Sequence, residues 1–162
     1  MYSMKSCSFT GHRNINIAHK DKLPDLLFRA IEYAYKNGCR TFYAGGAIGF
    51  DTEAARAVIK YRISHPDVTL ILLLPCVDQA EKWSAHQRDM YEYTLREANE
   101  TEYISDAYFD GCLKIRNQAL AERCDILIAY LGRMNSGAAQ TVRMAKSLGK
   151  EVYNLYPALE NK

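Results

Sequence analysis

Short runs of apolar, β-forming residues alternate along the chain with longer stretches whose apolar positions recur every three or four residues. Residues 5–10 are a first strand candidate. Pro24 and Asp25 read as the opening turn of a helix with Leu27, Ala30, Ile31 and Ala34 on one face, stopped at Asn37-Gly38. Residues 41–44 form a second strand, and Ala54, Ala55, Val58 and Ile59 mark the helix after it, broken by His65-Pro66-Asp67. Residues 68–74 are the apolar run of a strand covered on both faces, with Pro75 expected to end it. A long polar helix is expected over 79–97, with Trp83, Gln87, Tyr91, Leu95 and Ala98 at helical spacing. Residues 102–105 are a weak fourth strand, followed by a helix carrying Leu113, Arg116, Asn117, Leu120 and Cys124. A fifth strand over 126–131 leads through a loop to a helix with Ala138, Val142, Ala145 and Leu148 inward, closed by Gly149. Residues 151–155 are the last strand.

This alternation predicts an α/β fold with an open, mostly parallel sheet. No linker, repeat or low-complexity stretch divides the chain, so residues 1–162 are read as a single domain. In open sheets of this class ligands sit beyond the carboxyl ends of the strands, at the switch in strand order. That rule selects the loops after strands one, two and five. They read Thr10-Gly11-His12-Arg13, Gly45-Gly46-Ala47-Ile48-Gly49-Phe50-Asp51 and Asn135-Ser136-Gly137.

The glycine turn joins a strand to an alanine-rich helix, and Gly45, Gly46 and Gly49 would let its backbone come close to another group. The helix after it offers unpaired N–H groups to an anion such as phosphate. Asp51 stands at the helix entrance, able to cap it or to accept from a ligand hydroxyl. The spacing is neither GxGxxG nor the Walker pattern, and a turn whose glycines serve packing alone is the competing reading. His12 and Arg13 supply a donor pair suited to phosphate or carboxylate. Arg116, beside Asn117 on a packed helix, needs either Asp51 or an anionic ligand as partner. Ser136-Gly137 begins a second helix, with Ser136 as its N-cap. Trp83, with Gln79 and Gln87, is either core or the wall of a base-stacking pocket.

Composition narrows the classes. Lys and Arg number 21 against 19 Asp and Glu, a formal net charge of +2, which does not favour an electrostatic nucleic-acid binder. No apolar run reaches the ~20 residues of a membrane span, and no signal peptide is visible. Cys7, Cys39, Cys76, Cys112 and Cys124 include no CxxC pair and mostly sit in apolar segments, which points to a reducing, cytoplasmic setting. The histidines lack ligand spacing, so no metal or cofactor is expected; no nucleophile elbow is present either.

Phe9-Thr10-Gly11-His12-Arg13, the glycine turn, and Pro75 followed by Gln79 and Trp83 resemble the bacterial YpsA-like family. So do Tyr103-Ile104-Ser105-Asp106, Tyr108, Gly111 and Arg116-Asn117, in the same order from about Ser8 to about Leu155. The family belongs to the SLOG superfamily, named for Smf/DprA and the LOG phosphoribohydrolases. The resemblance implies a Rossmann-like fold, with helices on both faces of the sheet, that binds a nucleotide or nucleotide-derived ligand. LOG enzymes carry a PGGxGTxxE-type turn with a catalytic glutamate, and YpsA-like proteins usually keep a GGT there. Here the turn reads Asn135-Ser136-Gly137-Ala138-Ala139-Gln140-Thr141, and the amide of Gln140 cannot act as general acid or base.

The expected function is therefore cytoplasmic binding or sensing of a nucleotide-derived small molecule rather than catalysis. A LOG-like N-glycosidic hydrolase and a DprA-like DNA-binding module are the alternatives. A homo-oligomer is left open.

Overall fold

The apolar runs of the sequence become one six-stranded sheet in the computed structural model, which describes residues 4–160. The strands are β1 (Lys5–Gly11), β2 (Cys39–Ala44), β3 (Thr69–Cys76), β4 (Glu100–Ser105), β5 (Ile126–Tyr130) and β6 (Glu151–Asn154). Their order is β4-β3-β2-β1-β5-β6, and every pairing is parallel. Between and after them run α1 (Leu23–Lys36), α2 (Phe50–Ser64), α3 (Ala85–Glu97), α4 (Cys112–Arg123), α5 (Gly137–Ser147) and α6 (Tyr156–Glu160).

From β1 the chain steps outward through β2 and β3 to β4, then returns across the sheet to place β5 on the other side of β1. Right-handed crossovers put helices on opposite faces when the direction of travel reverses. The core divides accordingly. Leu27 and Ile31 of α1, Val58 of α2, Tyr91 of α3 and Leu159 of α6 bury one face of the sheet together with Phe9, Phe42 and Leu72. Ala121 of α4 and Ala139, Val142 and Ala145 of α5 bury the other. The period-two alternation of β5 serves both layers: Ile126, Ile128 and Tyr130 point one way, Leu127 and Ala129 the other. The Rossmann-like architecture expected from the sequence is thus the fold of the chain.

Two boundaries differ from expectation in ways that bear on the site, the end of β3 and the start of α3. β3 continues through Pro75 to Cys76, which pairs with Ser105. The β2 partner has ended at Ala44, opposite Leu72, so Pro75 lies where β3 is paired on one side only and a missing N–H is tolerated. α3 begins at Ala85 rather than near residue 79. Ser84 accepts from the Gln87 N–H while Gln87 accepts from the Ser84 N–H, a capping box that fixes the helix start and leaves 79–84 as turns. The 3-10 turn Ile17–His19 and α6 are additional elements. Among the described residues no helix is long and apolar enough to cross a membrane.

Candidate functional site

β1 and β5 are neighbours whose chains leave the sheet toward opposite faces, β1 toward α1 and β5 toward α5. A cleft of about 610 Å³ opens where they part. Thr10, Gly11, His12, Arg13 and Asn14 line it from β1, Ala47 and Asp51 from the glycine turn, and Arg133, Ser136 and Gly137 from the β5–α5 loop. The loops after strands one, two and five therefore meet at one end of the sheet. The first half of α4 completes the wall with Gly111, Lys114, Arg116 and Asn117.

The charge balance of this lining is one-sided. Arg13, Lys114, Arg116 and Arg133 face a single carboxylate, Asp51. Neither α4 nor α5 carries an acidic residue in its first turn, whereas α2 carries Asp51 and Glu53. The partial positive charge at the start of α4 and α5 is thus left uncompensated, and in α4 it is reinforced by Lys114. In α5, Ser136 caps the helix by accepting from the Ala139 N–H at 3.2 Å and donates its hydroxyl to the Arg133 carbonyl at 3.3 Å.

Arg116 is 5% exposed and lies within 4 Å of no carboxylate oxygen among the described residues. Its Nη1 donates to the Gly45 carbonyl and its Nε to Asn117 Oδ1 at 3.0 Å. Burial pulls the Arg116 pKa down, and the nearby charge of Asp51 opposes that shift. Asp51 accepts from the Ala47 N–H at 3.3 Å through Oδ2, while its buried Oδ1 has no partner. Burial pushes the Asp51 carboxyl up to about 6 against the opposing pull of Arg116, the Ala47 N–H and Arg13. The arginine is thus seated by neutral acceptors and only loosely balanced by charge.

His12 was expected as a donor and is instead an acceptor. Its Nε2 receives the backbone N–H of Gly132 at 2.8 Å and that of Arg133 at 3.2 Å. This requires the neutral ring with its proton on Nδ1, a nitrogen that is buried without a partner. Burial and the nearby Arg133 charge lower the His12 pKa, which favours the same neutral form. His12 therefore ties the β5 loop to β1, and so holds Arg133 at the cleft.

The glycines of the turn lie behind the cleft rather than on its wall. An added Cβ at Gly45 would meet Arg116 Nη1 and Asp51 Oδ2, each at 2.7 Å. At Gly46, with φ +72°, it would collide with the side chain of Leu74, and at Gly49, with φ +81°, with the carbonyl of Arg13. Protein atoms alone account for all three positions. Gln79 and Trp83 also stand outside the main cleft, because they follow β3, two strands from the β1–β5 switch point. Gln79 donates to the Gly46 carbonyl at 3.1 Å, and the Trp83 ring meets that of Tyr91 edge-on at 5.2 Å. Both line an adjoining hollow of about 450 Å³.

Sequence reasoning missed Lys114 and Arg133 as members of the cationic wall. A lysine at the third position of a helix, where acids are favoured, was the available signal for the first. Arg133 belongs to a loop already singled out, and Asn14 adjoins another. Gln140 does reach the cleft. Among the described residues no group of three or more His, Cys, Asp and Glu side chains is placed to hold a metal ion.

Residues 7–156 match the profile of the YspA SLOG family. A UPF0398 protein of Bacillus cereus (strain G9842) is 26% identical over 94% of this chain and 89% of its own length. The fold is similar to that of DNA processing protein A (DprA) from Streptococcus pneumoniae, with a TM-score of 0.64 and 17% identity over 92% of this chain. It is also similar to DprA from Helicobacter pylori, described for its single-stranded DNA binding mode, with a TM-score of 0.63 and 19% identity over 91% of this chain. The chain spans 49% of the pneumococcal protein and 63% of the H. pylori one.

Proposed function

The chain belongs to the YspA SLOG family, and from the cationic cleft at its switch point we propose that it binds or senses a nucleotide or nucleotide-derived small molecule. The observation that carries this reading is the lining itself. Arg13, Lys114, Arg116 and Arg133 converge with the first turns of α4 and α5 around a space that holds one carboxylate. Ligand sites for small molecules commonly occupy ~300–1,000 Å³, which includes this cleft. The phosphate lies against the arginines and the start of α5, where the N–H groups of Gly137 and Ala138 have no partner among the described residues. Asn117, whose Nδ2 stands 3.5 Å from the place of a Cβ on Gly137, closes the same corner. Asp51 sits at the opposite side of that corner as the acceptor for a sugar hydroxyl. All five cysteines are buried and unpaired, which accords with work in a reducing cytoplasm.

Calorimetry with a nucleoside monophosphate and its parent nucleoside tests the proposal. The monophosphate should bind at least about tenfold more tightly, the effect of ~1.4 kcal/mol from charge-assisted contacts to phosphate. Lys114→Gln and Arg133→Gln, both at exposed positions, should erode that preference without lowering stability. Equal affinity for the two ligands would overturn the phosphate site. Tight binding of single-stranded DNA with a steep salt dependence would favour the DNA-binding alternative instead.

A further inference from the structure

The hollow that holds Trp83 is not separate from the cationic cleft: Arg13, Tyr108 and Leu113 line both. The two spaces differ in chemistry. The cleft of about 610 Å³ is rich in cations, while the hollow of about 450 Å³ adds Trp83 and Pro75 to the shared Tyr108 and Leu113, among the polar side chains of Asp78, Gln79, Glu81 and Lys82. Trp83 is half-buried, pinned from behind by Tyr91, which is itself buried. Tyr108, 60% exposed, stands on the shared boundary without support from the core. A half-covered indole on one side of a step and an exposed phenol on the step itself form the kind of surface on which a planar aromatic group stacks.

Resting on the phosphate-binding reading above, we propose that the ligand spans both spaces. Its phosphate lies in the cleft and its heteroaromatic base in the hollow, stacked on Trp83, with Arg13 and Tyr108 astride the junction. The ligand class is then a nucleoside phosphate rather than a sugar phosphate or inorganic phosphate. Polar groups at the hollow pair the acceptors Asp78, Glu81 and the Gln79 side-chain oxygen with the donors Arg13 and Lys82, Gln79 having committed its Nε2 to Gly46. That mixed set suits a base with both N–H donors and ring acceptors.

Trp83 is the only tryptophan in the chain, so its fluorescence reports on the hollow directly. The probes are AMP, GMP and ribose 5-phosphate, with affinities from calorimetry and indole emission followed in parallel. AMP or GMP should bind more tightly than ribose 5-phosphate and change the Trp83 emission, whereas ribose 5-phosphate should bind without changing it. Trp83→Leu should reduce nucleotide affinity by about tenfold to a hundredfold, the range for losing one base–aromatic stack, and leave ribose 5-phosphate affinity unchanged. Unchanged sugar-phosphate binding also certifies that the variant is folded. Nucleotides and ribose 5-phosphate binding equally, or quenching equally, would overturn the base compartment while leaving the phosphate site standing. Failure of all three probes to bind would overturn the phosphate site and this inference with it.

Discussion

Arg116 donates from Nη1 to the carbonyl of Gly45, so a buried guanidinium from α4 rests on the turn that follows β2. α4 is the helix that returns across the sheet from β4 to β5, and this return carries the arginine past the end of β2. The same crossover that creates the switch point therefore also delivers a cation to it. Gly45 is needed because the space a side chain would take is filled by Arg116 and Asp51.

Gly45→Ala should accordingly act on the arginine first. The added Cβ would lie 2.7 Å from Arg116 Nη1 and from Asp51 Oδ2, so both must shift. Overpacking of this kind costs about 1–3 kcal/mol. Urea unfolding should show that loss, and nucleotide affinity in the folded protein should fall as the guanidinium moves.

Gly46→Val separates packing from ligand approach. With φ +72° and Leu74 against its α-carbon, the substitution combines backbone strain with a collision in the core. Expected is a large drop in melting temperature, with near-normal nucleotide affinity per folded molecule. Loss of affinity with unchanged melting would restore the reading in which this glycine faces phosphate.

These two positions mark how far the sequence could be read. The glycine turn was visible because three glycines between a strand and an alanine-rich helix have few other uses, but what fills the space beside each comes from elsewhere in the chain: Arg116 of α4 at Gly45, Leu74 of β3 at Gly46 and Arg13 after β1 at Gly49. The strands were legible because apolar runs such as Leu70–Leu74 need cover on both faces: Leu70, Leu72 and Leu74 join the larger core, and Ile71 and Leu73 are buried on the other side. The start of α3 was not, because Gln79 through Lys82 continue a helical pattern that only the Ser84–Gln87 capping box interrupts. The loops after strands one, two and five do meet at one end of the sheet, because in an all-parallel sheet the strands all finish on the same side. The role of His12 was not, because its acceptor geometry depends on the path of a loop 120 residues away.

His12 should make the β5 loop sensitive to acid. The folded state lowers its pKa below the ordinary 6.5, so the unfolded chain binds more protons in the window beneath that value and stability falls with falling pH. His12→Ala leaves two backbone N–H groups without their acceptor and should cost about 1–3 kcal/mol at neutral pH. The gap between wild type and variant should narrow as pH drops below about 6.5. Equilibrium unfolding of both proteins across that range checks it; a gap independent of pH would mean the ring is not acting as a neutral acceptor.

Asp51 carries the opposite sign. Its pKa rises from 3.8 to about 6 on folding, so here the folded state binds more protons and stability falls as pH rises through that window. Relative to Asp51→Asn, the wild type should lose up to about 3 kcal/mol between pH ~4 and ~6. Comparing the two pH profiles isolates the carboxyl from His12, whose contribution changes in the other direction.

Hydrolysis of the N-glycosidic bond is the remaining question, and the positions of three side chains frame it. Cleavage needs a group that activates water and one that stabilises a developing oxocarbenium ion, tasks that carboxylates usually perform. Gln140 reaches the cleft but can only orient water through hydrogen bonds. Glu53 is turned away, bridging Arg56 at 3.5 Å on a different face of α2. Asp51 is the one carboxylate on the cleft wall, but it is 6% exposed, it accepts from the Ala47 N–H through Oδ2, and its Oδ1 is buried without a partner. In the proposed complex that carboxylate is engaged by the sugar hydroxyl and not free to take a proton from water, and loss of a general base typically costs ~10²–10⁴ in rate. Purified protein incubated with nucleoside monophosphates should therefore bind them and release no free base by chromatography. Turnover abolished by Asp51→Asn but not by Glu53→Gln would identify Asp51 as a working base and make the protein an enzyme. Turnover that survives Asp51→Asn and appears in step with Gln140→Glu would place the chemistry on α5 instead.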